Sequence, residues 1–493
     1  MKVLLINPQS RAVQNSPFWQ RSLLTPIIPL GLAYIAAVLE KNGIRVQIVD
    51  QVAEGLKEDS LLEIVKVMKP DVVGFSCLTA AMDTVVSLSA AIKALDRDIK
   101  IVLGNIHASV FAEVLLKKRV GDVVIHGEGD YTMLELVSRF EKGKGLEGMN
   151  GIAFMSNGSL YNNAKVIEVG DLDALPYPAY HLLDLKKYRE VPLAGIYNKI
   201  AITISASRGC PFNCVFCSQN RIHGRPRYRK IESIIDEMEF MHERYNAKFF
   251  GFTDAFFPFS TRHGIEFCDA LIKRGLHKKV KWVVETMVDF VTRDLAEKMK
   301  EAGLYMLEFG FESGSQKVLD RLGKNTDLEY SKKIMRITRK LGILTLGLFM
   351  IGLPGETVSD CDKTIQFAKE LDCDFVKFNI ATPYPGSKLF ESYKDEVASL
   401  RNFSAVSSWY DWFCNSDREF CTVGSIGADV LRNIQRKAMF SFYFRPSKIA
   451  KSILKRRISL KFMFFGALTL LTGYWRMFVS GCKKRTVNPD GKE

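Results

Sequence analysis

The sequence predicts an α/β protein: two successive runs of alternating strand and helix patterns, followed by a basic helical extension. Three observations carry this reading. Short segments rich in Val and Ile alternate with amphipathic stretches in residues 1–145 and again in residues 196–400. Residues 146–195 break the pattern with a hairpin signal at Ser156-Asn157-Gly158 and the prolines Pro176 and Pro178, and read as a connector wrapping between domains. Beyond residue 401 the alternation stops and basic residues accumulate.

In the first run the strand segments are 2–7, 45–50, 72–76, 100–104 and 123–126. Helical patterns at 31–41, 60–69, 84–95 and 109–118 separate them. Strands that alternate with helices of this length form a doubly wound parallel sheet, Rossmann-like, with helices on both faces. Ligands of such sheets sit beyond the carboxyl ends of the strands. Those ends carry Pro8-Gln9, Ser76-Cys77-Leu78-Thr79, Gly104-Asn105-Ile106-His107 and His126-Gly127-Glu128-Gly129-Asp130. Each alone is ordinary turn punctuation, but four at one edge point to a ligand that the backbone must approach closely. The second run has strand segments at 200–205, 249–253, 281–285, 306–311, 344–349 and 375–379. Its helical patterns, 232–245, 262–274, 293–302, 326–340 and 359–371, separate the six strands into successive βα units.

At 493 residues, 47% hydrophobic and 25% charged, the chain has the makings of two or three ordinary globular domains. Ten scattered cysteines suit a reducing compartment better than a disulfide framework. The apolar stretch at the N-terminus is too short for a secretory signal, so a cytoplasmic protein is expected. The net charge of +14 is uneven: residues 442–493 hold twelve Lys/Arg against two Asp/Glu. Such a tail calls for a polyanionic surface.

Directly after the first strand of the second run, residues 208–219 read RGCPFNCVFCSQ, with Cys210, Cys214 and Cys217 at C-x3-C-x2-C spacing. Three thiolates so spaced can hold a four-iron, four-sulfur (4Fe-4S) cluster and leave its fourth iron open for chemistry. The alternatives are an oxidised cysteine pair or a zinc knuckle, which would want a fourth ligand at short spacing. The nearest, His223, lies on a basic loop. Of the other cysteines, Cys77, Cys268, Cys361 and Cys373 fall in core-like patterns. Cys414 and Cys421 follow the aromatic run 409–413 and are candidates for an active-site role, although two thiols alone cannot hold another such cluster.

With Phe216 before the third cysteine, this motif resembles the signature of radical S-adenosylmethionine (SAM) enzymes. The resemblance implies an open, partial (β/α)6 barrel with SAM chelated to the open iron. It also implies SAM contacts from the strand ends. Asp254 in GFTDAFF stands where the family has an acidic residue. Glu312 and Ser313 in FGFESGS, and the turn from Gly352 to Gly355 in MIGLPGET, match its ribose-side and adenine-side motifs. Taken singly, Asp254 or Glu312 would read as a helix cap or a surface carboxylate. Met287 stands where relatives have arginine, so no contact is carried over for it.

The first run is similar to the cobalamin-binding domain that precedes the radical SAM domain in one large subfamily. The similarity rests on NPQ, PLGLAYIAAVLEKNG, PDVVGFS, VLGNIHAS and HGEGDYTMLEL. It implies cobalamin contacts from Pro8, Ser76, Thr79, Gly104, His107, Gly127, Glu128 and Gly129. No Asp-x-His-x-x-Gly occurs, and neither His107 nor His126 has that context, so the implied cobalamin is base-off without a histidine on cobalt. Asn105 replaces a frequent second glycine.

Together the resemblances imply a methyltransferase. In it a SAM-derived 5′-deoxyadenosyl radical opens an unactivated carbon of a lipid, terpenoid or other secondary metabolite, and cobalamin delivers the methyl group. The alternatives are a ring-forming cyclase resembling the anaerobic magnesium-protoporphyrin monomethyl ester cyclase, and a non-catalytic corrinoid sensor or carrier. The implied partners are a hydrophobic small molecule and a one-electron reductant such as flavodoxin or ferredoxin. In the tail, only residues 462–475 lie between the flanking charges Lys461 and Arg476, short of the ~20 needed to span a bilayer. The segment reads as an interfacial helix on an anionic membrane or as a helix packed on the barrel, and not as a nucleic-acid site, because its aromatics are not interleaved with its charges.

Overall fold

The computed structural model describes residues 1–14, 26–188, 199–324, 326–395 and 422–454. Its first sheet contains β1 (Lys2–Asn7), β2 (Arg45–Asp50), β3 (Val72–Ser76), β4 (Lys100–Gly104), β5 (Val123–Ile125), β6 (Ile152–Ser156) and β7 (Ser159–Asn163), in the order β2-β1-β3-β4-β5-β6-β7. The first five strands are parallel and the last two antiparallel. Parallel strands are covered on both faces, hence their unbroken apolar runs. In β1, Val3 and Leu5 join the core on one face while Leu4 and Ile6 join the core on the other.

The hairpin signal is realised as β6 and β7, with Asn157 and Gly158 both at positive φ, as a two-residue primed turn requires. The hairpin pairs with β5, so the first sheet continues past residue 145 to Asn163. The helix expected at 109–118 is instead two short ones, Ile106–Val110 and Ala112–Lys117. Asn105 starts the first early, its side-chain oxygen accepting from the Ile106 amide at 2.7 Å. Phe111 breaks the run, held against His107 (centroids 4.6 Å apart) and edge-on to Phe390.

The second sheet is all parallel: β8 (Ala201–Ile204), β11 (Phe249–Phe252), β12 (Lys281–Thr286), β13 (Leu304–Glu312), β14 (Leu344–Ile351) and β15 (Phe375–Ile380), in chain order. Beside it the two-residue strands β9 (Ser207–Arg208) and β10 (Arg227–Tyr228) pair antiparallel and bracket the cysteine segment. The outward face packs Phe250, Trp282, Leu307, Phe349 and Phe378 into the same core as the helix Leu30–Lys41 of the first domain. The inward face closes on a smaller cluster of Phe249, Val283, Met306, Leu344 and Phe375 at the amino ends of the strands. These six βα units form the partial barrel.

Helix Ala428–Tyr443 lies along β15, where Gln435 donates to the Phe378 carbonyl at 2.7 Å and Tyr443 bonds both backbone groups of Val376. Lys448 of the following helix, Pro446–Leu454, is buried and donates to the Cys373 carbonyl. Cys414, Cys421 and the apolar tail segment lie outside the described residues. Among the described residues no helix is long and apolar enough to cross a membrane.

Candidate active site between the two sheets

The strand order β2-β1-β3-β4 reverses direction at β1 and β3, which opens a crevice at their carboxyl ends. A cavity of ≈ 830 Å³ occupies it, lined by Pro8, Ser76, Thr79, Gly104, Gly127, Glu128 and Gly129. The opposite wall comes from the barrel: Arg208, Gly209, Ser218 and His223 of the cysteine segment, Asp254 after β11, and Tyr384 and Pro385 after β15. Gly104 presents open space, since a Cβ there would meet only the Phe75 carbonyl at 3.9 Å. A wide crevice floored by bare backbone fits a planar corrin. His107 does not line it: its Nδ1 lies 3.1 Å from the Thr79 hydroxyl, and burial pushes its pKa down to about 3. His126 is likewise turned away, bonded to Asn162 of β7 at 3.0 Å.

Glu128 does something the sequence did not disclose. Its carboxylate accepts from Arg227 (2.9 and 2.5 Å), from His223 (3.1 Å) and from the Val169 amide (2.8 Å). Arg208 is 3.4 Å away and makes its own bidentate pair with Asp130 at 2.6 and 3.0 Å, while resting on the Tyr34 ring. Burial alone would raise the Glu128 pKa; the His223 and Arg227 hydrogen bonds and the Arg208 charge outweigh it and hold it at about 2. The turn after β5 thus grips both ends of the cysteine segment.

Within that segment Gly209 has φ +84°, and a Cβ there would sit 2.7 Å from the Arg225 carbonyl. Asn220 staples the loop, accepting from the Cys210 amide at 3.2 Å and donating to the Phe212 carbonyl at 2.8 Å. Phe212 sits edge-on against Phe256 and Phe290. Cys210, Cys214 and Cys217 are unpaired and partly accessible, whereas Cys77, Cys268, Cys361 and Cys373 are buried. Burial raises the pKa of all three loop thiols, and Cys217 adds to the rise at Cys210 and Cys214. Lys324 pulls each of them back. Among the described residues no three His, Cys, Asp or Glu side chains gather about a point as a single zinc ion requires. An iron–sulfur cube binds each thiolate at a different corner, so three free thiols close together on one loop fit it.

The expected SAM contacts lie around this loop, several with their polar atoms already engaged. Asp254 accepts from the Ala206 amide at 2.9 Å and from the Ser207 hydroxyl, so it props the turn before the cysteines. Burial pushes it up to about 6 against those hydrogen bonds. Glu312 ends β13 at a bulge with φ +62° and pairs with buried Lys324 at 2.7 Å. The Ser313 hydroxyl contacts Thr364 at 3.1 Å, on helix Val358–Leu371. Gly352 turns at φ +79°, its amide donating to Glu356 at 2.6 Å; Gly355 turns at φ +70°, its carbonyl accepting from Arg321 at 2.8 Å. Phe216 packs on the cluster containing Met350, Leu353 and Leu389, which joins the cysteine loop to this turn.

Outside the motifs, the barrel interior holds a further set of charges. Glu285 and Glu308 are register partners on β12 and β13, two residues beyond Val283 and Met306 of the apolar floor. Lys377 stands likewise two beyond Phe375 on β15. Burial, then the neighbouring Glu308, pushes Glu285 up to about 7; burial pushes Glu308 up to about 7 and Lys377 down to about 8. The signal was available: a charge at an inward position of an otherwise apolar strand. Lys324 and the ion pairs that Arg208 and Arg227 make with Asp130 and Glu128 gave no such signal, since the partners lie on other elements.

An open six-stranded barrel with a three-thiol loop, joined across a shared crevice to a doubly wound domain, defines a two-cofactor radical enzyme. Family models agree: Radical SAM superfamily over residues 204–368 and B12 binding domain over residues 21–137. The chain belongs to the radical SAM enzymes that carry a B12-binding domain, and its cofactors are a 4Fe-4S cluster, SAM and cobalamin. It is 32% identical, over 92% of its length and 95% of the other, to the uncharacterized methyltransferase PH0819 of Pyrococcus horikoshii. It is 31% identical to the anaerobic magnesium-protoporphyrin IX monomethyl ester cyclase of Rubrivivax gelatinosus, over 80% of this chain and 71% of that one. The fold is similar to the radical SAM methyltransferase TsrM from Kitasatospora setae, at a TM-score of 0.63 and 19% identity, covering 81% of this chain and 76% of that one.

Proposed function

We propose that the chain is a C-methyltransferase that moves a methyl group from SAM, by way of cobalamin, to an unactivated carbon of a hydrophobic small molecule. One observation carries the reading: the two flanks of the cysteine loop, at Arg208-Gly209 and Ser218-Gln219, and the turns after β1, β3, β4 and β5 face a single cavity. A substrate held there meets both cofactors without travelling. When bound, cluster and SAM supply a hydrogen-abstracting radical and the corrinoid carries the methyl group. Cys210, Cys214 and Cys217 hold the cluster, and Phe216 seats their loop on the Gly352–Gly355 turn. Glu312 and Gly352 would bind SAM from the strand ends, with Ser313 and Asp254 bracing the backbone there. Pro8, Ser76, Thr79, Gly104 and Gly127, which line the cavity, would hold the corrin. A flavodoxin or ferredoxin supplies the electron, and the basic tail rests on an anionic membrane.

The second reading is oxidative ring formation, which the likeness to the Rubrivivax gelatinosus cyclase supports. Anaerobic turnover with methyl-labelled SAM separates the two. Label in the product supports methylation; SAM consumption with unlabelled, oxidised product overturns it in favour of cyclisation. Absence of 5′-deoxyadenosine from reconstituted, reduced protein given candidate substrates would sink both in favour of a corrinoid carrier.

A further inference from the structure

Glu128, in the short turn after β5, and Asp130, the first residue of the helix Asp130–Glu141 that follows it, line the corrin side of the cavity. Their partners bracket the cysteines: Arg208 precedes Cys210 by two residues, and His223 and Arg227 follow Cys217. The clasp is largely dry, with side-chain exposures of 1% for Glu128, 4% for Asp130, 10% for Arg208 and 11% for Arg227. An exposed ion pair would contribute little, but removing one partner from a buried set strands the other charge. The backbone closes just as tightly: Gly127 has φ +67°, and a Cβ there would be 3.2 Å from the Ile222 carbonyl of the loop. Between the clasped ends, Gly209, Ser218 and Ile222 form part of the cavity wall.

We infer that Glu128 and Asp130 are positioning residues that couple corrinoid binding to the order of the cysteine loop, so that each cofactor tightens the hold on the other. A cluster fixes three points of the loop, and a corrinoid in the cavity packs against the same loop from outside. Whichever binds first meets the ordering cost of the clasp, and the second binds to a wall already in place. Linkage makes the effect mutual. The inference rests on the family's two cofactors and not on methylation, so it survives or fails independently of the reaction.

The test is an anaerobic titration of hydroxocobalamin into full-length protein, once cluster-free and once with the cluster reconstituted. Wild type should bind more tightly with the cluster present, by about 5-fold or more. Glu128→Gln keeps the size of the side chain and removes its charge; the ratio should fall toward one. Arg227→Gln should do the same, and because Arg227 does not line the cavity, a direct corrin contact cannot account for it. As the converse, bound hydroxocobalamin should slow iron loss to a chelator in wild type and not in either variant. Each ratio is taken within one protein whose fold is checked by circular dichroism, so either variant suffices. Equal affinities in wild type would overturn the inference, as would variants that weaken both titrations by the same factor.

Discussion

Glu312 holds a backbone conformation that non-glycine residues seldom adopt, and a single buried cation compensates it. Lys324 donates to both Glu312 and the Gly310 carbonyl across the bulge in β13. Lys324→Met should therefore cost about 3–5 kcal/mol, read as a lowered urea midpoint, because it leaves a carboxylate buried without its counter-charge. Adding Glu312→Gln should recover part of the loss; an unchanged midpoint in the single variant would contradict the pairing. Asp254 gives a pH signature. Its folded pKa of about 6 lies above the ordinary 3.8, so its stabilising contribution is complete below about 3.8 and disappears as pH rises through 6. Asp254→Asn should gain on wild type by about 2–3 kcal/mol between pH 4 and pH 7, in paired melts at each pH. These positions were legible as residues, but their partners were not. Arg227 lies 99 residues from Glu128, and Ser207 lies 47 from Asp254.

At the scale of elements, the cysteine segment is short, irregular and held by its surroundings more than by its own pattern. Gly209 is where its backbone has least choice, having positive φ and the Arg225 carbonyl where a side chain would begin. Gly209→Ala should cost at least about 1–2 kcal/mol from the left-handed backbone alone. The expected readout is a lower iron and sulfide content per chain after reconstitution; full cluster loading would show that the loop relaxes freely. The strands were readable because burial on both faces forces apolar runs, and the βα alternation leaves few topologies. The break at Phe111 was not, since it depends on a ring contact with Phe390, which is remote in sequence. The hairpin turn was readable from Asn157-Gly158, but its docking on β5 was a tertiary outcome.

For the whole molecule, one continuous core links the first domain to the outer face of the barrel, so the two sheets are held together while the cysteine loop closes the crevice between them. Alternation of strands and helices foretold the two sheets, whereas the relation between them is written in the buried ions of the clasp. The basic tail is the remaining whole-molecule feature, with +10 of the net charge in residues 442–493. Its root is docked: Lys448 is buried and donates to the Cys373 carbonyl in the turn before β15, and Arg445 donates to the Lys369 carbonyl at 3.1 Å. A truncation testing membrane contact therefore belongs after Leu454, where it spares this helix and removes only the charged and apolar segment beyond. The full chain should sediment with liposomes rich in anionic lipid at low salt, and the truncated chain should stay in the supernatant with its cluster intact. Each Lys or Arg near such a surface contributes about 1 kcal/mol, so binding should weaken steeply as salt shortens the Debye length. Binding that persists in the truncated chain, or that is indifferent to salt, would move the contact off the tail and onto the body of the enzyme.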